Sequence, residues 1–172
     1  YYIVLAFAAA HFVVMFAWSN MGLVLAVDGA EALRASGLPA WAMLLGVLIF
    51  GAGLNLLIGS ASAKWAVLAP VLVPMLMLLG LSPEMTTAAY RVGDSGTNII
   101  TPLMPYFPLV LVFCQRWVKD FGLGSLAATM MPYAVGIMAS GMALTVAWVV
   151  FDLPLGPDAG VFMDVPTAMV AP

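Results

Sequence analysis

The segment from Tyr90 to Phe107 carries polar side chains and helix-interrupting residues inside an otherwise apolar sequence. The polar members are Arg91, Asp94, Ser95, Thr97, Asn98 and Thr101, and the helix-interrupting members are Gly93, Gly96, Pro102 and Pro105. Hydroxyls, amide oxygens, freed backbone carbonyls and one carboxylate are hard oxygen donors, which suit Na+ or a proton better than a soft metal. Asp94 and Asn98 are four residues apart and would share one face of a helix. The segment therefore predicts a cation site in a broken helix.

A second polar interruption, GSASAK at Gly59 to Lys64, divides the apolar stretch between residues 40 and 81. It is either a surface turn between two full spans, with its lysine solvated, or the tip of a re-entrant hairpin that ends inside the protein. Small residues at the tip favour the hairpin because they allow close backbone approach. Asn55, one turn before the tip, and Pro70 and Pro74 in the second arm also favour it. The residues alone leave both interpretations open.

Together the two interruptions predict a transporter site, because paired broken hydrophobic segments are typical of secondary transporters. Asn55 would complete the oxygen shell of the first segment. The freed amides of a half-helix N-terminus suit an anionic substrate group, to which Lys64, Arg91 and Trp65 would add charge and stacking. In the alternative interpretation, Arg91 and Asp94 only neutralise each other and Trp65 is an interfacial anchor.

The composition is that of a membrane protein. Hydrophobic residues make up 65% of the chain and charged residues 8%, whereas soluble domains have about 25% charged residues. No basic run indicates a nucleic-acid partner. The single cysteine, Cys114, excludes an internal disulfide. No nucleophile–base pair or phosphate-binding loop indicates an enzyme or an organic cofactor. Because Tyr1 already lies in an apolar run without a basic region before it, we expect a piece of a longer protein.

The remaining elements must position these two segments. We predict a transmembrane scaffold helix at 1–27, a surface connection at 28–39, the re-entrant hairpin at 40–81, a broken transmembrane helix with the substrate and ion site at 82–116, a cytoplasmic loop at 117–121, a last transmembrane helix at 122–151 and a poorly ordered external tail at 152–172. Arg116 and Lys119 place their loop in the cytoplasm by the positive-inside rule.

The motifs SASAKWAVLAPVLVPM and YRVGDSGTNIITPLMPYF resemble the C-terminal half of the p-aminobenzoyl-glutamate transporter (AbgT) family. The resemblance implies an all-α membrane protein, in which this chain is the second inverted repeat of a secondary transporter with a re-entrant helical hairpin and a broken transmembrane helix. It also implies a homodimer in the bacterial inner membrane, with the first half of the same transporter as a partner within the lipid bilayer.

The same resemblance implies site residues and an activity. The substrate-binding positions fall on Ser62, Trp65, Pro83, Arg91, Asp94 and Pro102, and the sodium positions on Asn55, Asp94 and Asn98. The activity implied is ion-coupled transport, driven by Na+ or H+, of folate-pathway compounds. It would be uptake of p-aminobenzoyl-glutamate or efflux of p-aminobenzoate and sulfonamide drugs, so the substrate is a small aromatic carboxylate or sulfonamide. The alternatives are a channel and a membrane subunit or enzyme that does not transport.

Overall fold

The computed structural model describes residues 18–163, together with residues 4, 7, 10, 11 and 14–16. Regular structure in these residues is helical, as predicted, apart from two isolated bridges. The named helices are α1 (Met21–Ala35), α2 (Ala40–Asn55), α3 (Ala61–Met77), α4 (Pro83–Asn98), α5 (Phe107–Gln115) and α6 (Leu123–Val150). Much of the predicted scaffold helix at 1–27 and the end of the predicted tail, residues 164–172, lie outside the described residues.

Within the described residues, two helical segments are long and apolar enough to cross a membrane, Ala40–Leu57 and Leu123–Val150. Helix α3 is also apolar, but its 17 residues extend about 26 Å, slightly less than the ~30 Å hydrocarbon core of a bilayer. The 16 residues of α4 and nine of α5 are each too short to span alone. The predicted broken helix thus falls on two short helices, whereas the region of the predicted hairpin contains one helix long enough to span, α2, and the shorter α3.

Helix α1 continues across the predicted boundary at residue 27 and ends at Ala35. The guanidinium of Arg34, in its last turn, donates to the carbonyl oxygen of Leu78 at 2.8 Å. Leu78 follows the last residue of α3, so this bond satisfies a carbonyl that has no partner within its own helix. The charged part of the predicted surface connection thus ties α1 to the end of α3.

The break after α4 lies at the prolines and not at the glycines. Helix α4 continues through Gly93 and Gly96, and the non-helical segment at 99–106 contains Pro102 and Pro105. A Cβ atom at Gly93 would collide with the backbone of α2, and one at Gly96 with a side chain of α6. The two glycines therefore let α4 approach both neighbouring helices closely, which is how small residues act in membrane helix packing.

Helix α4 lies at the centre of the described part, in contact with α2, α3 and α6. Tyr90 of α4 is fully buried among apolar side chains of all three neighbours, including Leu44, Leu76 and Val149. This packing holds the middle of α4 against α2, α3 and α6.

The segment after α6 packs back onto the connection between α3 and α4. Val161 is fully buried in the core. Its carbonyl accepts from the amide of Ser82 at 2.9 Å, and the amide of Met163 donates to the carbonyl of Gly80 at 3.0 Å. As far as Met163, the predicted tail thus contributes an apolar side chain and backbone partners to the core, which its prolines and acids do not indicate.

Candidate functional site

A buried polar cluster lies where α2 ends, α3 begins and α4 approaches its C-terminus. Asn55 is the last residue of α2, Lys64 lies in the first turn of α3, and Asp94 and Thr97 lie in the last two turns of α4. Their exposed fractions are 0%, 2%, 3% and 8%, respectively. Burial of polar and charged groups is costly unless they are paired, so their hydrogen bonds define what the cluster can do.

The Asn55 side chain holds the cluster together. Its amide nitrogen Nδ2 lies 3.0 Å from the Asp94 carbonyl oxygen, 3.0 Å from Thr97 Oγ1 and 2.7 Å from Asn98 Oδ1. An amide group has only two hydrogens to donate, so three acceptors share them. The hydroxyl of Thr97 is itself directed to backbone carbonyls of Ala52 and Gly93.

The ammonium group of Lys64 is the cation of the cluster. Its Nζ donates to Oδ1 of Asn55 and forms a salt bridge with Oδ1 of Asp94. Arg91, the alternative partner considered for Asp94, is exposed. It lines an open groove of about 310 Å³ between α4 and α6. The charge of Asp94 is therefore balanced by Lys64 of α3 and not by its neighbour on α4.

Hydrogen-bonding oxygens outnumber nitrogens in this cluster. Five oxygens, from the side chains of Asn55, Asp94, Thr97 and Asn98 and the backbone of Asp94, surround two nitrogen groups, the amide of Asn55 and the ammonium of Lys64. Such a set of hard oxygens fits Na+. The structure thus brings together the three residues predicted as sodium ligands, with Asn55 in contact with both of the others.

Thr97 and the pairing role of Lys64 were missed in the sequence. The sequence indicates a carboxylate partner for Lys64 only if the tip of the hairpin is buried. If residues 59–64 form a buried tip, its ammonium needs a carboxylate, and Asp94 is the only acid between Glu84 and Asp120. Thr97 lies three residues after Asp94, so a helical α4 places both on one side.

Trp65 stacks against a core aromatic ring. Its ring centroid is 4.7 Å from that of Tyr90, with 27° between the ring planes. Tyr90 is fully buried, whereas Trp65 is half-buried. Stacking on Tyr90 holds the indole against the core.

The other predicted substrate residues are more dispersed. Ser62 is exposed in the first turn of α3, and Pro102 is exposed in the segment between α4 and α5. Pro83 is the first residue of α4, and the rise of the helix separates it from Asp94 by about 16 Å. Among the described residues, the structure therefore places Ser62, Trp65 and Asp94 around the beginning of α3, and Pro83 at the far end of α4.

Comparison with known proteins decides the family, because the sequence matches the AbgT transporter family over residues 1–163. The chain belongs to this family. It is 38% identical over 156 residues to the p-aminobenzoyl-glutamate transport protein of Escherichia coli (strain K12), a match that covers 91% of this chain and 31% of that protein. The relatives are transporters and not enzymes, and this chain is a membrane protein of the same family.

Two solved structures of the family share the fold. The YdaH transporter of Alcanivorax borkumensis, described as having an unusual topology, has a TM-score of 0.82 and 54% identity over 91% of this chain and 33% of that one. MtrF of Neisseria gonorrhoeae, described with a class of antimetabolite efflux pumps, has a TM-score of 0.78 and 46% identity over 92% of this chain and 31% of that one. The chain spans about a third of the length of these relatives.

Proposed function

We propose that this chain is the second inverted repeat of an ion-coupled secondary transporter of folate-pathway compounds in the bacterial inner membrane. The observation that carries the proposal is the oxygen-rich cluster formed by buried Asn55, Lys64, Asp94 and Thr97 with half-buried Asn98. Buried ionisable groups in membrane proteins are costly and are typical of ion and substrate pathways. Family membership supports the same conclusion.

Helices α2 and α3 are proposed as the two arms of a re-entrant hairpin. In the alternative, two full spans joined at the membrane surface, Lys64 would be solvated. The burial of Asn55 and Lys64 on either side of the tip supports the hairpin, because non-helical backbone at membrane depth is tolerated where protein surrounds it. Helices α4 and α5 are proposed as the two halves of one broken transmembrane helix.

Asn55, Asp94 and Asn98 are proposed as the binding residues of the coupling ion, which is Na+ or H+. A cation bound there would neutralise Asp94. The oxygens around Asn55 would coordinate it. The ion site joins the tip of the hairpin to α4, and this position would make a movement of the hairpin depend on ion occupancy.

The substrate is proposed to be a small aromatic carboxylate or sulfonamide, in line with the name of the E. coli relative. Trp65 offers an aromatic surface for the substrate ring, and Ser62 at the tip offers a hydroxyl. Arg91 supplies a cation in an open groove for an anionic group. Pro83 and Pro102 are proposed to shape the two ends of the site, because proline fixes the backbone conformation.

The first half of the same transporter and a second copy of the whole chain are the proposed protein partners. Large apolar side chains are exposed on α5 and α6, among them Leu109, Phe113, Tyr133 and Val135. Such faces require lipid or protein contact. The direction of transport is either uptake of p-aminobenzoyl-glutamate or efflux of p-aminobenzoate and sulfonamides. It is a property of the full-length transporter.

Counterflow of labelled p-aminobenzoate in proteoliposomes of the full-length transporter tests this function. We expect saturable exchange of labelled for unlabelled substrate. Flux that does not saturate would indicate a channel, and a folded full-length protein that exchanges none of the tested substrates would favour a non-transporting subunit.

A further inference from the structure

The ammonium of Lys64 occupies the position between two oxygens of the proposed ion site, Oδ1 of Asn55 and Oδ1 of Asp94. We propose that Lys64 is a tethered cation that competes with the coupling ion for these two oxygens. Na+ then binds at Asp94 only when the ammonium has left. The inference rests on the proposed function of the same site and adds to it a residue that sets ion affinity.

Charge balance makes the two cations exclusive. Among the buried residues that the structure describes, Asp94 is the one carboxylate and Lys64 the one cation. A single buried carboxylate balances one positive charge, and two positive charges beside it repel each other strongly because screening is weak in the interior. An ion that enters the cluster must therefore displace the ammonium and cannot simply join it.

The lysine has space for such a displacement. Its side chain also lines a cavity of about 350 Å³ between the two arms of the hairpin, together with Phe50, Leu54, Ile58, Ala63, Val67 and Leu68. The flexible four-carbon stem of lysine can lie along these apolar side chains while the ammonium extends to the open side of the cavity, where Phe50, Ile58 and Ala63 are exposed. The charge itself would not rest among the apolar side chains, because a buried charge without a partner is unfavourable. When the ammonium stays in the cluster, it ties the hairpin tip to α4 through Asp94.

Equilibrium binding of radioactive Na+ to the purified full-length transporter tests the competition. Lys64→Met keeps most of the length of the side chain and removes the charge, whereas Lys64→Arg keeps the charge. We expect Lys64→Met to bind Na+ with an affinity roughly tenfold or more above that of the wild type, and Lys64→Arg to show no such gain. We also expect Na+, compared with choline, to raise the melting temperature of Lys64→Met more than that of the wild type.

Two control results complete the test. Lys64→Met/Asp94→Asn removes both charges and should lose the gain in Na+ affinity. If this double variant keeps the gain, the Na+ site lies elsewhere and the proposal is overturned. The proposal is also overturned if wild type and Lys64→Met bind Na+ with equal affinity. It is overturned as well if Lys64→Met fails to fold in saturating Na+, because Na+ would then not replace the ammonium.

The outcomes separate this inference from the proposed function. Gradient-driven transport by the wild type together with equal Na+ affinities would leave the transport function standing and remove the tethered cation. Tighter Na+ binding by Lys64→Met in a protein that transports none of the proposed substrates would support the tethered cation and remove the proposed transport function.

Discussion

At the scale of single residues, the charge of Asp94 determines the behaviour of the site. A carboxylate costs at least ~2.5 kcal/mol at the centre of a membrane span, and a helix that only needed a polar residue would avoid that cost with asparagine. The buried partner of Asp94 is Lys64, so each of the two charges depends on the other. Breaking a buried ion pair on one side leaves an uncompensated charge, whereas removing both partners can be nearly neutral.

A double-mutant cycle on this pair has a defined expected result. Asp94→Asn should lower the stability of the full-length protein by about 3–5 kcal/mol, because the ammonium of Lys64 stays buried without its carboxylate. Lys64→Met/Asp94→Asn should recover most of that loss. Thermal unfolding, with size-exclusion chromatography to detect the folded protein, measures the loss in Asp94→Asn and the recovery in the double variant. Wild-type stability of Asp94→Asn would show that the ammonium is not held against Asp94 in the protein.

Trp65 provides a second test at this scale. Trp65→Ala removes a ring that can stack on an aromatic substrate and should lower the transport rate several-fold. The loss of the stack on Tyr90 costs only about 0.5–1.5 kcal/mol beyond the lost contact area, so the protein should remain folded. Trp117, in the loop after α5 and 90% exposed, is the matched control, and Trp117→Ala should transport normally. Normal transport by Trp65→Ala would leave this ring with a packing role only.

At the scale of helices, the close contact of α4 with α2 brings Asn55 to the backbone of α4. Gly93 makes this contact possible, because a Cβ atom there would collide with the backbone of Leu48. The site thus depends on a residue that carries no polar side chain.

Gly93→Ala should therefore push α4 away from α2, lengthen the hydrogen bonds of Asn55 and reduce both the melting temperature and ion binding. Gly136→Ala in α6 is the matched control, since a Cβ atom there meets no other atom within 4 Å. In that open position the change should be neutral or stabilising by up to about 1 kcal/mol. Equal melting temperatures of the two variants would contradict the close contact of α2 and α4.

The hairpin can be tested by cysteine labelling at its tip. In a Cys114→Ser background, a cysteine at Ser62 should react with a water-soluble thiol reagent, and substrate should reduce the labelling. A cysteine at Ser125, which is exposed near the beginning of α6, should be labelled equally with and without substrate. Unchanged labelling at position 62 would favour two plain spans with the turn at the membrane surface.

At the scale of the whole molecule, the sequence predicts the class of protein and the two polar segments that meet at the site. Asn55, Asp94 and Asn98 converge as expected because their oxygens cannot remain unpaired in an apolar chain. The pairing of Lys64 could not be predicted, since the composition of GSASAK fits both a surface turn and a buried tip. The sequence also left open which of the glycines and prolines breaks the helix, because a glycine at a close helix contact and a glycine at a kink look the same in a sequence.

The central claim is that the cluster around Asp94 couples an ion gradient to substrate movement in the full-length transporter. The most direct test is the concentrative movement of labelled p-aminobenzoate in proteoliposomes, with Na+ and pH gradients imposed separately. We expect the wild type to concentrate substrate under one of the two gradients, and Asp94→Asn to concentrate none below its own unfolding temperature. Full concentrative transport by a well-folded Asp94→Asn protein would contradict the claim, because the carboxylate would then have no part in coupling.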